Sequence, residues 1–145
     1  MIVVLQRVKQ AEVIVQTRTV GAIQAGYLLL VGIGQTDTET EIKRLALEVT
    51  KVRLMPDAEG KFGVNLATAN AEVLAVSQFT LLADFSKGNR PSFHQAAPPA
   101  VAEPLFNLFV TELTALLGKP IATGQFGAEM EVKLINDGPV TVVLE

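Results

Sequence analysis

The order of strand and helix signals along the chain predicts an α+β fold. Most segments are rich in Val and Ile with strand-like patterning, and only two segments change to helical spacing. Helices and strands do not alternate regularly, so a series of βαβ units is not expected. The 145 residues are 49% hydrophobic and 19% charged, which suits one domain over residues 1–145 with a substantial core. We predict a mixed or antiparallel sheet that carries two main helices.

Three strands are predicted before the first helix. Residues 2–15 are dominated by Val and Ile, and the apolar positions change parity between Lys9 and Ala11. Such a change predicts a bend or bulge in the strand. Residues 20–25 and 27–33 form the next two strands, and glycines separate them.

The first helix is predicted over residues 37–50. Its start carries two overlapping capping-box patterns, Thr36 with Glu39 and Thr38 with Glu41. Either pattern can cap the helix, and the sequence does not decide between them. The residues at helical spacing that we expect to be buried are Ile42, Leu45, Ala46 and Val49. Beyond the helix, residues 52–55 predict a strand.

The remaining chain predicts a loop over residues 56–70, a strand over 72–77, a second helix and two final strands. The second helix begins near Pro99 to Pro104 and ends at Gly118, because proline suits a first turn and glycine a helix end. Its expected buried stripe consists of Leu105, Leu108, Phe109, Leu113 and Leu116. The final strands are expected over residues 130–134 and 140–144, where apolar residues alternate with others.

Composition excludes several classes of function. The chain has no cysteine and one histidine, which excludes disulfides, thiol nucleophiles and sites that need two imidazoles. We expect neither a metal nor a cofactor. No apolar run approaches the roughly 18 to 20 residues of a membrane span, and no basic segment precedes the apolar start. A cytoplasmic protein without a membrane partner is therefore expected.

The formal net charge of −3 argues against a dedicated nucleic-acid-binding surface, because a grip on many phosphates requires a basic stripe. No DNA partner is expected. A pocket for one terminal nucleotide remains compatible with this charge. Lys87 and Arg90 are either a rim that contacts phosphate or part of an ordinary solvated loop.

The segment from Asn136 to Thr141 is the most informative motif. Asp137-Gly138 between apolar runs is a strong hairpin signal, but the N–H that would close the turn belongs to residue 139, which is proline. Carbonyl groups near Gly138 are therefore expected to face another partner, since buried acceptors without one are costly.

Four ordered motifs together resemble the D-aminoacyl-tRNA deacylase family of bacteria and eukaryotes. They are Ser77-Gln78-Phe79-Thr80, Lys87-Gly88-Asn89-Arg90-Pro91-Ser92-Phe93, Gly124-Gln125-Phe126-Gly127-Ala128-Glu129-Met130 and Asn136-Asp137-Gly138-Pro139-Val140-Thr141. The resemblance implies a barrel-like sheet with helices, assembled as a homodimer. It also implies hydrolysis of the ester at the 3′ end of D-aminoacyl-tRNA, and cleavage of glycyl-tRNA is an expected extension.

The resemblance also implies roles for these residues. The catalytic segment is Ser77, Gln78, Phe79 and Thr80, and the 2′-OH of the terminal adenosine assists the reaction. Gly138 and Pro139, with Asn136, form a chiral filter. The Gly138-Pro139 bond of this filter is cis, and the filter is inserted into the neighbouring subunit's active site. Carbonyl oxygens of this filter face the bound amino acid and exclude L side chains.

Phe126 and Met130 match positions of the resembling family that line the pocket for the terminal adenine, with core packing as the alternative. Arg7 lies among apolar strand residues and needs a carbonyl or anionic partner, so we expect it to brace the Gly-Pro loop. One segment departs from the family pattern. After Lys61 the family commonly has Met-Asn, whereas this chain has Phe62-Gly63-Val64 before Asn65.

Other interpretations of the site residues remain open. In a strand, Ser77 and Thr80 would face opposite sides, but a turn at the strand's end brings both towards one pocket, where backbone N–H groups and the Ser77 hydroxyl would form an oxyanion hole. A general esterase would instead use Thr80 as nucleophile with His94 as base, although we expect His94 to be a loop or surface residue. The third alternative is a non-catalytic homodimer that binds tRNA ends or small ligands.

Overall fold

The computed structural model describes residues 1–145 and confirms an α+β fold with two main helices. Its elements are β1 (Ile2–Val15), β2 (Arg18–Ile23), β3 (Gly26–Gly32), α1 (Glu39–Lys51), β4 (Met55–Pro56), β5 (Phe62–Val64), β6 (Glu72–Ser77), a 3-10 turn (Phe79–Leu82), α2 (Pro99–Leu117), β7 (Ala122–Thr123) and β8 (Glu131–Leu144).

Strand β1 pairs with three other strands. Its N-terminal half runs antiparallel to β3 and its C-terminal half antiparallel to β2. Along the opposite edge, β8 pairs with β1 from Val3 to Ile14. The register between β1 and β8 shifts before and after Val8, so the bend predicted near Lys9 is confirmed. This bend lets one strand contribute to both halves of the sheet.

The sheet is mixed and nearly closes into a barrel. Its order is β2-β1-β3-β6-β7, with β8 on the other edge of β1, and β6 runs parallel to both β3 and β7. The two ends of this order approach each other at Gly21 in β2, where an added Cβ would collide with the Thr123 carbonyl of β7. A residue without a side chain is needed for this close approach.

The two faces of the sheet bury different sets of apolar residues, as the alternation of strand side chains requires. In β3, Leu29 belongs to a core of 21 buried residues shared with both helices, whereas Leu28 belongs to a second core of eight. The larger core includes Ile42 and Leu45 of α1 and Phe109 of α2. The helices thus cover one face of the sheet.

Helix α1 begins as one of the two predicted capping boxes specifies. The Glu41 carboxylate accepts the Thr38 N–H at 2.9 Å and the Thr38 hydroxyl at 2.5 Å. These hydrogen bonds, the one from the hydroxyl above all, hold the pKa of Glu41 below its ordinary value. The four residues expected to be buried in α1 are buried.

Helix α2 has the predicted ends, with Pro99 at its start and Gly118 in the left-handed conformation (φ 66°) at its end. Its buried residues are Ala102, Phe106, Phe109 and Leu113. Leu105 and Leu108, which were also expected to be buried, are half-buried, and the expected burial of Leu116 is wrong, because its side chain is 44% exposed.

By length and composition alone, α2 could cross a membrane, so the expectation that no segment is long enough is wrong for Pro99–Leu117. The core helix of a soluble protein passes the same test, and the buried stripe of α2 packs against α1 and the sheet.

Strands β2 and β3 are shifted by one or two residues from the predicted ranges, and two other strand predictions are wrong. Residues 52–54 are not in a strand, because the Tyr27 hydroxyl takes their hydrogen bonds: it accepts the Leu54 N–H at 3.2 Å and donates to the Val52 carbonyl at 3.4 Å. Burial raises the pKa of this Tyr27 hydroxyl. The two final strands are one strand, β8, because β1 supplies a partner along its whole length. The loop over residues 56–70 contains the short β4–β5 hairpin.

Candidate active site

A largely apolar cavity of about 600 Å³ lies at the C-terminal end of β6. Three segments contribute most of its lining: the end of β6 with the residues after it, the loop before α2, and the turn that leads into β8. The lining residues are Ile33, Val76, Ser77, Gln78, Phe79, Phe93, Ala96, Ala97, Pro98, Pro99, Ala102, Phe126, Gly127, Ala128, Met130 and Val132. The structure therefore brings together residues of three of the four sequence motifs, the first and the third of which are about 50 residues apart in the chain.

The segment predicted to be catalytic, Ser77 to Thr80, turns sharply after β6. The Gln78 N–H donates to the Val31 carbonyl at 2.8 Å, so it is not available to a substrate. A 3-10 turn then begins at Phe79, and the first N–H groups of such a turn have no acceptor inside it. Among the backbone N–H groups that follow Ser77, those of Phe79 and Thr80 are therefore the ones available to a substrate.

Thr80 is placed differently from the other three residues of its motif. It is exposed and does not line the cavity, whereas Ser77, Gln78 and Phe79 do. The Gln78 side-chain amide donates to the Thr80 hydroxyl. The turn therefore brings Ser77 to the cavity, while Thr80 contacts Gln78 at its edge.

Aromatic contacts hold the walls of the cavity. Phe79 packs edge-on against Phe93, with ring centroids 5.0 Å apart. Phe126 packs against Phe106 of α2, with centroids 6.3 Å apart, so the wall at Phe126 rests on the buried core. Phe93 lies in the Lys87–Phe93 motif, but the sequence predicts neither Phe93 nor the Ala96–Pro99 segment as part of the pocket. The consecutive prolines at 98 and 99 were the available signal.

The Gly-Pro element lies in the middle of β8 and away from the cavity. Asn136 pairs with Val8 and Thr141 with Gln6, so four residues of β8 bulge between these pairs. The Gly138-Pro139 bond is cis, and Gly138 has a φ of 129°. No residue of this bulge lines the cavity, whose last lining residue is Val132, six residues or roughly 20 Å of strand from Gly138.

Arg7 contacts the Gly-Pro element directly. Its Nε lies 3.1 Å from the Asp137 carbonyl, to which it donates, and 3.3 Å from the Asp137 carboxylate. Its Nη1 donates to the Leu54 carbonyl at 2.7 Å, and its guanidinium lies over the Phe62 ring, 5.3 Å from the centroid. The structure thus supplies the carbonyl and anionic partners that the sequence required for a buried arginine.

His94 is a surface residue whose contacts do not include Thr80. Its Nδ1 lies 3.0 Å from the Ser92 hydroxyl and 3.9 Å from the Asp84 carboxylate. Hydrogen bonds from Ser86 hold the pKa of Asp84 below its ordinary value. The general esterase built on Thr80 and His94 lacks the required hydrogen bond between nucleophile and base.

Lys87 and Arg90 lie in a short hairpin that two main-chain hydrogen bonds between Asp84 and Ser92 close, at 2.8 and 2.9 Å. Both side chains are exposed and form no ion pair.

Known proteins resemble this chain in both sequence and fold. The sequence model of the family described as D-Tyr-tRNA(Tyr) deacylase matches residues 4–145. The chain belongs to the D-Tyr-tRNA(Tyr) deacylase family. The family expected from the four motifs is therefore confirmed.

Curated members of the D-Tyr-tRNA(Tyr) deacylase family match over nearly the full length. The D-aminoacyl-tRNA deacylase of Dechloromonas aromatica (strain RCB) is 50% identical over 143 residues, covering 99% of this chain and 95% of the relative. That of Lacticaseibacillus casei (strain BL23) is 47% identical over 142 residues, covering 98% and 95%.

Solved structures show the same fold. A protein named c-Myc DNA Unwinding Element Binding Protein superposes with a TM-score of 0.93 and 38% identity, covering 100% of this chain and 98% of the other. A probable eukaryotic D-amino acid tRNA deacylase superposes with a TM-score of 0.85 and 17% identity, covering 99% and 97%. The nearly closed barrel of a single chain is thus confirmed as the family fold.

Proposed function

We propose that this chain hydrolyses the ester bond of D-aminoacyl-tRNA and releases free D-amino acid and tRNA. One observation supports this proposal above all: Ser77, Gln78 and Phe79 share a cavity with Phe126 and Met130, in a chain that is 50% identical to a curated D-aminoacyl-tRNA deacylase. The cavity accepts the 3′-terminal adenosine, and the ester lies at the catalytic segment. The reaction belongs to the cytoplasm, where aminoacyl-tRNA is used.

The adenine base binds between the walls at Phe126 and Met130. An aromatic face stacks on a base, and a methionine side chain adapts to its edge. The packing of Phe126 against Phe106 keeps its ring in place before the base arrives. The apolar lining suits a base better than it suits a phosphate.

Cleavage relies on position and electrostatics, with no side chain as nucleophile. The 2′-OH of the adenosine organises the attacking water. The Ser77 hydroxyl and the N–H groups of Phe79 and Thr80 stabilise the oxyanion of the tetrahedral intermediate. Positioning and oxyanion stabilisation each contribute several kcal/mol to catalysis, on the order of 3 for one oxyanion donor.

Selectivity for D over L aminoacyl esters comes from the Gly138-Pro139 element of a partner protomer in a homodimer. Within one chain this element is remote from the cavity, and the second copy supplies it. Its carbonyl oxygens, with Asn136 beside them, accept from the substrate's ammonium and occupy the volume of an L side chain. Glycine has no side chain to exclude, so glycyl-tRNA is also a substrate.

The decisive experiment gives the purified protein D-Tyr-tRNA, L-Tyr-tRNA and D-Phe-tRNA. We expect both D esters to be cleaved and the L ester to survive. Pro139→Ala is expected to lower this discrimination while the melting temperature stays close to that of the wild type. Comparable cleavage of the D and L esters by the wild type would contradict the filter, and no turnover would favour a silent tRNA-end binding module.

A D-Tyr-tRNA that ends in 2′-deoxyadenosine extends the same experiment to the chemistry. We expect its cleavage to be strongly reduced, whereas His94→Ala retains full activity on the ordinary substrate. Full activity on the deoxy substrate would refute substrate assistance. DNA binding, which the name of one structural relative mentions, is not proposed because the net charge is −3 and a DNA grip needs a basic stripe.

A further inference from the structure

Phe62 is an exposed aromatic side chain with one notable neighbour. It is the first residue of β5 and is 61% exposed, so it contributes little to the core. Its ring lies under the Arg7 guanidinium, with 5.3 Å between Cζ and the ring centroid. This geometry is a cation–π contact, in which the negative face of the ring attracts the cation.

Arg7 connects that ring to the Gly-Pro bulge. The Arg7 side chain is 10% exposed and contacts Asp137 through both the carbonyl and the carboxylate. An ion pair is stronger when water is kept from it. The Phe62 ring covers one face of the guanidinium, so it limits the directions from which water reaches the Arg7–Asp137 pair.

The β4–β5 hairpin holds Phe62 in this position. Phe62 pairs with Pro56 of β4, and the Gly63 carbonyl accepts from Arg53 Nε at 2.6 Å. A Cβ at Gly63 would lie 2.6 Å from the Asp57 Cβ, so a glycine is needed for the hairpin to close this tightly. The hairpin begins directly after Leu54, whose carbonyl accepts from Arg7 Nη1.

We propose that Phe62 is a positioning residue for the chiral filter and acts through Arg7. The guanidinium is contacted at two points, by the Leu54 carbonyl directly before the β4–β5 hairpin and by the Phe62 ring within it, and Arg7 in turn fixes the carbonyl of Asp137 next to Gly138. This inference rests on the proposed function of the Gly138-Pro139 element. It also assigns a role to the segment in which the chain departs from the common Met-Asn pattern.

The test compares the ratio of kcat/KM for D-Tyr-tRNA and L-Tyr-tRNA among Phe62 variants. Phe62→Leu keeps an apolar side chain but removes the aromatic face, whereas Phe62→Tyr keeps that face. We expect Phe62→Leu to lower the ratio about fivefold, which corresponds to one cation–π contact, and Phe62→Tyr to retain the wild-type ratio. Phe85→Leu is the matched control, because Phe85 is 58% exposed and contacts neither a ring nor a guanidinium.

The outcomes separate this inference from the function on which it rests. A selective wild type with an unchanged ratio in Phe62→Leu overturns the inference alone. Equal losses in Phe62→Leu and Phe62→Tyr also overturn it, because the aromatic face is then irrelevant. A wild-type enzyme that cleaves D-Tyr-tRNA and L-Tyr-tRNA equally overturns the proposed function and this inference together. Melting temperatures of all variants are expected to match that of the wild type, since the side chain is mostly exposed.

Discussion

Gly124 is the residue at which one methyl group would disturb the cavity. Its N–H donates to the Ala75 carbonyl at 3.0 Å. A Cβ at this position would lie 2.7 Å from the Met130 sulfur, while its contacts with Val76 and Val13 would be ordinary, at 3.6 and 3.7 Å. The flexible Met130 side chain is therefore the group that must move, and it lines the cavity.

We predict that Gly124→Ala raises the KM for D-Tyr-tRNA about threefold to tenfold, the size of one lost methionine contact, with little change in kcat. Steady-state kinetics with the wild type as reference measure this effect. Gly60→Ala is the control, because its Cβ would meet no neighbouring atom although its φ is 78°. An unchanged KM in Gly124→Ala would show that Met130 does not contact the substrate.

Single residues also show what the sequence could predict about the site. Arg7 among apolar neighbours indicated a carbonyl or anionic partner, because the cost of burying a charge is general. The identity of those partners was not predictable: Leu54 and Asp137 lie 47 and 130 positions away in the chain. For Phe62 the sequence indicated only a departure from the family pattern after Lys61, because an exposed aromatic residue has no periodic pattern that would predict its contact with Arg7.

Helix α1 is the element whose stability depends most clearly on pH. The Thr38 hydroxyl and N–H hold the pKa of Glu41 below its ordinary value of 4.5. The unfolded chain therefore binds more protons at Glu41 than the folded chain does. The contribution of the cap is fully present above the ordinary pKa and is lost as the pH falls through the lower folded value.

We predict that Thr38→Ala lowers the melting temperature at neutral pH by about 2–4 °C, as expected for a lost N-cap. The melting temperature should also fall less steeply in this variant than in the wild type between neutral pH and about pH 3. Thermal unfolding followed by circular dichroism measures both effects. Glu39→Gln is the control, and equal pH slopes in wild type and Thr38→Ala would show that the cap does not stabilise the helix.

The ends and bends of helices and strands were predictable where residues close in the sequence determine them. The ends of α2 follow from Pro99 and Gly118, and the bend of β1 follows from its apolar parity. Elements decided by distant partners were missed. Strand β8 is continuous through a Gly-Pro bulge because β1 lies alongside it, and β7 has only two residues, which pair with β6.

At the scale of the whole molecule, β8 is an open edge strand of the sheet. It pairs with β1 on one side only over its 14 residues, and Ile135 and Val143 on it are 49% and 54% exposed. A long open edge with exposed apolar side chains is normally covered. A second copy of the chain covers it in our proposal and carries its Gly-Pro bulge to the neighbour's cavity.

We predict that two inactive variants restore activity when they form heterodimers. Ala128→Trp fills the cavity, because Ala128 lines it. Gly138→Val disrupts the bulge, because the φ of 129° disfavours a branched side chain and the added Cβ would lie 2.7 Å from Val140. In a heterodimer, one of the two sites combines the intact cavity of one protomer with the intact bulge of the other.

Statistical mixing makes half of the dimers heterodimers with one intact site of two, so about a quarter of the wild-type activity on D-Tyr-tRNA is expected. Native mass spectrometry of the co-expressed variants measures the heterodimer fraction, and each variant alone is the control. If heterodimers form and activity stays at the level of the separate variants, each site is complete within one protomer. Arg7 would then brace a bulge that has no part in its neighbour's reaction.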